Sequence, residues 1–162
     1  MTPKIGVLNI SDRASAGIYS DEPGQACLAL LRAWLATPFE TDYKIIPDEP
    51  ATLEPLLLHC LADPSIDCIL TNGGTGISRR DLTIDILAKH IDLPLPGFGE
   101  LFRMLSYAEI GSAAILSRAV GGLMGRLVVL VMPGSRAAVE LAMSKIILPE
   151  LRHLVGEARK IV

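Results

Sequence analysis

Asp67-Cys68-Ile69-Leu70-Thr71-Asn72-Gly73-Gly74-Thr75-Gly76 is a short apolar run that ends abruptly in glycine. Asp67–Thr71 is too short for a helix and carries no polar/apolar alternation, so it reads as a strand buried on both faces of a parallel sheet. The three glycines and two small hydroxyl residues at its end leave backbone N–H groups free to converge on an anion. A plain glycine-rich turn gives the same composition. No Gly-Lys-Ser/Thr follows, so this is not a Walker loop.

Outward from that strand, apolar runs alternate with amphipathic segments. Upstream, Lys4–Ile10 reads as a strand, and Asp21 or Glu22 opens a helix through Thr37 with Leu28, Leu31 and Leu35 on one face. Tyr43–Ile46 is a second strand, ending at Pro47-Asp48-Glu49-Pro50, and Thr52–Ala62 a second helix. Downstream, helices are expected over Leu82–His90 and, after Pro96-Gly97-Phe98-Gly99, over Glu100–Ala108. Ala114–Ala119 and Leu127–Met132 read as strands joined by a Gly121-Gly122…Gly125 turn, too short a link for anything but an antiparallel pair. Ser135 caps a helix to Ile147, and a last helix covers the C-terminus. The expected fold is α/β: a three-layer, doubly wound, mostly parallel sheet with one antiparallel hairpin strand, forming a single domain over residues 1–162.

The bulk numbers fit one domain. The chain has 162 residues, half of them apolar, and a mean hydropathy of +0.42. That is oily for a monomer's surface, so a homo-oligomer is expected. A net charge of −3 argues against nucleic acid as the main partner. Cys27, Cys60 and Cys68 are odd in number, lie in apolar runs and lack Cys-x-x-Cys spacing, so they read as buried thiols of a reducing compartment. With no signal-like segment and no bilayer-length apolar stretch, a cytoplasmic protein that does not engage a membrane is expected.

Doubly wound sheets bind ligands beyond the carboxyl ends of their strands. Ser11-Asp12-Arg13, Asp48-Glu49, Asn72–Asp81 and Pro133-Gly134-Ser135 each follow a different strand and should meet there. Arg79 and Arg80 add positive charge, and Thr83 can cap the helix that follows. Asp81 reads as a functional carboxylate or as a helix cap. Asp48 reads as its partner across the pocket or as a turn residue. Two carboxylates beside bound phosphates are what Mg2+ requires, because this hard ion takes its remaining ligands from phosphate and water. Arg118 is costly to bury alone and should reach a ligand or a carboxylate. His59, His90 and His153 have no ligand spacing and read as surface residues.

Six segments then carry a resemblance: Ile10-Ser11-Asp12-Arg13 with Ala14-Ser15-Ala16-Gly17; Ile46-Pro47-Asp48-Glu49; Thr71–Gly76 with Arg79-Arg80-Asp81-Leu82-Thr83; Pro96–Glu100; Leu116-Ser117-Arg118-Ala119; and Met132-Pro133-Gly134-Ser135. In this order, over nearly the whole chain, they resemble the molybdenum-cofactor biosynthesis family of MogA and MoaB type, a pattern shared with the G domains of gephyrin and of the plant cofactor-insertion protein. Glu100–Ser106 through Ile110-Gly111 resembles the MoaB branch, whereas the loops around Ser11 and Asp48 resemble the MogA branch.

The resemblance implies a molybdopterin adenylyltransferase that moves AMP from Mg-ATP to the terminal phosphate of molybdopterin and releases pyrophosphate. By position, Asp48 and Asp81 match the family's essential aspartates, catalytic and metal-binding. Gly73, Gly74, Thr75, Gly76, Arg80 and Thr83 would hold the nucleotide phosphates. Ser11, Arg13, Ser117, Arg118, Pro133, Gly134 and Ser135 would face molybdopterin. The family further implies a homotrimer or a hexamer, and hand-over of product to a metal-insertion protein. Two other readings stand beside this one: a non-catalytic molybdopterin-binding or scaffold protein of the MoaB branch, and a nucleotide hydrolase that shares only the fold.

Overall fold

The computed structural model describes residues 3–35 and 41–160. Six strands form one sheet in the order β2-β1-β3-β6-β5-β4. β1 (Ile5–Ile10), β2 (Thr41–Ile46), β3 (Cys68–Asn72) and β6 (Leu127–Met132) are mutually parallel. β5 (Val120–Met124) runs against β6 on one side and against the two-residue β4 (Leu93–Pro94) on the other. β5 is therefore the one antiparallel strand of a mostly parallel sheet.

Period-two alternation of apolar side chains feeds both faces. Ile5, Val7, Cys68, Leu70, Val128 and Leu130 pack under α2 (Glu22–Leu35), α5 (Pro96–Ile110), α6 (Arg136–Ala142) and α7 (Leu148–Ala158). Leu8, Ile10, Ile69, Val129 and Val131 pack under α3 (Pro50–Ala62) and α4 (Thr83–Leu87). Cys27, Cys60 and Cys68 are buried and free. Burial pushes the Cys27 thiol up to about 12, so it stays protonated and unreactive.

Several boundaries differ from expectation, each for a physical reason. The first helix was expected to reach Thr37; Leu35 is its last described residue, and 36–37 lie outside the described residues. Ala114–Ala119 is not a strand: a 3-10 helix occupies Gly111–Leu116, and the strand begins at Val120. Gly121 and Gly122 lie inside that strand because a Cβ at Gly121 would crowd Phe98 and Leu130, and one at Gly122 would crowd Ile91. The hairpin turn is Gly125-Arg126. α3 and α5 start at Pro50 and Pro96, proline being well suited to a first helical turn. The two C-terminal helices form one run with a π turn at Met143–Ile147, where Leu148 N–H reaches back to Met143 O. Pro149 has no N–H for Lys145 O, and its ring would clash with that carbonyl in a regular helix. His90 is half-buried and bonded to Glu54 Oε1 at 2.8 Å rather than a surface residue.

Candidate functional site

The chain leaves β1 toward one side of the sheet, for β2, and returns to place β3 on the other. α2 and α4, which follow β1 and β3, pack on opposite faces, and such a reversal opens a crevice at the strands' carboxyl ends. A cavity of about 240 Å³ lies there, lined by Asn9, Ser11, Tyr19, Pro23, Gly73, Gly74, Thr75, Gly76, Asp81 and Gly134 among others. The loops expected to meet do so. Ser11 N donates to Ile46 O at 2.8 Å, and Asp48 N donates to Asp12 Oδ1 at 3.0 Å. A Cβ on Gly134 would lie 3.0 Å from Gly73 Cα.

The glycine loop has the conformation its composition demands. Gly73 and Gly74 have φ of 101° and 61°, which L side chains rarely adopt. Added Cβ atoms would also overlap Ile10 O at Gly73, and Thr83 Oγ1 and Asp48 Oδ2 at Gly74.

Asp48 and Asp81 converge on this loop. The Asp48 carboxylate abuts Gly74, and Asp81 Oδ2 lies 2.8 Å from where a Cβ of Gly76 would be. Leu82 N and Thr83 Oγ1 each donate to Asp48, at 3.2 Å. Thr83 therefore does not cap α4; the N-cap position is Leu82, and Asp48 accepts its N–H from another strand end. Ser78 N donates to Asp81 Oδ2 at 2.9 Å.

Burial raises the Asp48 pKa; the two hydrogen bonds oppose this, and the charges of Asp81 and Asp12 add to it. Among the described residues no group of three or more His, Cys, Asp or Glu is arranged to hold a metal by itself. Two carboxylates flanking an anion cradle nevertheless fit magnesium, which keeps several ligands from phosphate and water.

The remaining expected residues divide. Gly134 lines the cavity, while Ser135 Oγ is taken up in capping α6, accepting from Ala138 N at 3.2 Å. Ser11 caps α1 (Asp12–Ser15) and pairs with Tyr19 OH at 2.9 Å. The Arg13 guanidinium stands 5.7 Å from the Tyr19 ring centroid. Arg80 is exposed, 3.9 Å from Asp12, beside a shallow outer pocket shared with Arg79 and Asp48. Ser117 and Arg118 lie behind the glycine loop, where Arg118 bonds Gly76 O, Asp81 O and the Asp85 carboxylate.

Asn9, Tyr19 and Pro23 line the cavity and were not anticipated. The one available signal was Tyr19, an aromatic in an otherwise polar loop. Asn72, which precedes the glycines, is a strand residue in register with Asn9 and Met132, wholly buried, with neither side-chain polar atom partnered.

A doubly wound sheet with a glycine loop and two carboxylates at its switch point defines a class of α/β domain whose ligand site lies at the carboxyl ends of the strands. Residues 6–153 match the family model for a probable molybdopterin binding domain. The chain is 45% identical over 155 residues to molybdenum cofactor biosynthesis protein B of Bacillus cereus, covering 95% of this chain and 89% of the relative. It is 51% identical over 119 residues to the Bacillus subtilis protein of the same name, covering 73% and 70%. A crystal structure of molybdenum cofactor biosynthesis protein B superimposes with a TM-score of 0.90 at 42% identity, covering 99% and 98%. The tungsten cofactor synthesizing protein MoaB of Pyrococcus furiosus gives 0.87 at 36%, covering 98% of each chain. A MogA structure gives 0.82 at 26%, covering 96% and 99%. This chain belongs to the MogA/MoaB family of molybdenum cofactor biosynthesis proteins. Over its whole length it is more similar to these MoaB proteins than to that MogA.

Proposed function

We propose that this protein is a molybdopterin adenylyltransferase, transferring AMP from Mg-ATP to the terminal phosphate of molybdopterin with release of pyrophosphate. The observation that carries the reading is the placement of Asp48 and Asp81 against Gly74 and Gly76. Adenylyl transfer needs charge offset on the α-phosphate and on the departing pyrophosphate, and little covalent help from protein. Gly73 N donates to Met132 O at 3.0 Å, so the amides of Gly74, Thr75 and Gly76 would supply the donors for phosphate oxygens. Asp48 and Asp81 would hold the metal, which supplies charge neutralisation when bound. Asp48 is held by Leu82 N and Thr83 Oγ1, so its orientation is set before ligands arrive. The attacking phosphate is already ionised at neutral pH, so no strong base is required, in keeping with a cavity lined by no histidine.

Asp81→Asn should lower magnesium-dependent pyrophosphate release from ATP plus molybdopterin by at least about a hundredfold. Normal turnover by that variant would defeat the assignment.

A second reading, a molybdopterin-binding scaffold without transfer activity, is favoured by the higher identity to proteins named MoaB than to MogA. Calorimetry separates the two: a scaffold takes up molybdopterin but has little affinity for Mg-ATP.

The same reading includes a homotrimer, or a hexamer built from it, in the cytoplasm, handing its product to a metal-insertion protein. An assembly would cover Leu101, Met104, Tyr107 and Ile110 of α5 with Ile115 and Leu116 of the 3-10 helix, all exposed in the single chain. No helix among the described residues is long and apolar enough to cross a membrane.

A further inference from the structure

Residues 77–81, which carry Asp81, have little of their own to hold them. Ile77 is 72% exposed and the Arg80 side chain 85%. Their internal bonds are a few turn contacts around Ser78, such as Asp81 N to Ser78 O at 3.0 Å. A segment that buries so little opens locally at small cost.

One guanidinium spans it. Arg118 Nε donates to Gly76 O at 2.8 Å and Nη2 to Asp81 O at 2.7 Å, joining the segment's two ends. Nη1 donates to both Asp85 carboxylate oxygens at 3.2 and 3.3 Å, which ties the same fork to the first turn of α4. Arg118 is rigidly mounted. Its own N–H donates to Thr75 O at 3.3 Å, and the carbonyl of its neighbour Ala119 accepts from Arg103 of α5 at 3.0 Å.

We propose that Arg118, oriented by Asp85, is a positioning residue: it clamps the 77–81 segment so that the Asp81 carboxylate is held against Gly76. It does so from behind the glycine loop, outside the lining of the 240 Å³ cavity. A planar fork with donors in three directions is needed, and lysine cannot replace it. The clamp stands on the geometry alone; only its kinetic consequence rests on the adenylyltransferase reading.

Arg79 and Arg80 are exposed trypsin sites inside the clamped segment, so the clamp can be read without any activity. In the full-length, ligand-free protein, Arg118→Ala should speed cleavage at Arg79 and Arg80, mapped by mass spectrometry, by about tenfold, as loss of charge-assisted hydrogen bonds from a locally opening segment permits. Arg118→Lys should speed it about as much as Arg118→Ala and Asp85→Asn by about threefold, with melting temperature and circular dichroism unchanged. If Arg118→Ala does not fold, the other two variants carry the test.

In the transfer assay loss of the clamp lowers kcat more than it raises KM for molybdopterin, and Lys does not rescue it. An arginine that simply contacts ligand gives the opposite pattern: unchanged cleavage, a KM effect, and partial rescue by Lys. Either unchanged cleavage in a folded variant or a KM-only effect overturns the proposal. Absence of transfer activity in the wild type would sink the functional reading, while the cleavage rates would still decide the clamp.

Discussion

Asp48 bears the electrostatic cost of the site. Its folded pKa is raised above the ordinary 3.8, first by burial. The folded state therefore holds the proton more tightly than the unfolded state does. Stability falls as pH rises from the unfolded pKa through the folded one, and the ionised carboxylate is a standing cost at neutral pH. Asp48→Asn removes that charge and can still accept from Leu82 N, so its melting temperature should equal or exceed the wild type's. Transfer activity should fall by about 10² or more. A clear loss of stability in differential scanning calorimetry would show that hydrogen bonding, not charge, dominates at this position. A bound cation favours the ionised form, so uptake of the magnesium nucleotide at acid pH, where Asp48 is partly protonated, should release protons. Titrations in two buffers of different ionisation enthalpy measure that release. That Asp48 and Asp81 meet at the glycine loop was legible in sequence because strand ends and glycine loops declare themselves locally. The roles of Thr83 and Arg118 were not, because their partners lie 35 and 37 residues away along the chain.

Among the elements, the C-terminal end of α7 is tied to the amino-terminal ends of β1 and β3, opposite the site. Arg159 donates to both Asp67 oxygens, at 2.9 and 2.8 Å, and Lys4 N donates to the same carboxylate at 3.0 Å. Asp67 is only 5% exposed while Arg159 is about a third exposed. Losing the arginine should thus cost about 2 kcal/mol, between the values for surface and buried pairs. Arg159→Ala should lower the melting temperature by about 4–8 °C and leave steady-state activity at 25 °C unchanged, since the cavity lies at the other end of the strands. Strands β1, β3 and β6 were readable from their continuous apolar runs. β5 was misplaced because Gly121-Gly122 reads as a turn when only neighbours along the chain are considered. Both glycines answer instead to Phe98 and Ile91, which reach them only after α5 and the β4 edge have docked.

For the whole molecule, the apolar surface of α5 and the 3-10 helix is where the assembly can be tested. Ile115 is 82% exposed and Met104 61% in the single chain. Placing a carboxylate at either position costs nothing on a free surface and several kcal/mol inside an apolar interface. If the proposed trimer or hexamer forms across this surface, Met104→Glu and Ile115→Glu should therefore sediment as monomers and the wild type as the larger species. Unchanged sedimentation of both would move the interface elsewhere.

The chain's own order of residues determined the layered α/β architecture, the single buried sheet and the cradle at the end of β3. Each of these rests on short-range rules: apolar runs pair as strands, and consecutive glycines turn where other residues cannot. Tertiary structure alone decided that Asp48 caps α4 and that Arg118 faces the loop's outer side. It also decided that two interior glycines belong to a strand, and that Asn72 is buried without a partner. Those outcomes depend on which distant atoms arrive in contact, and contact is settled only when the layers pack.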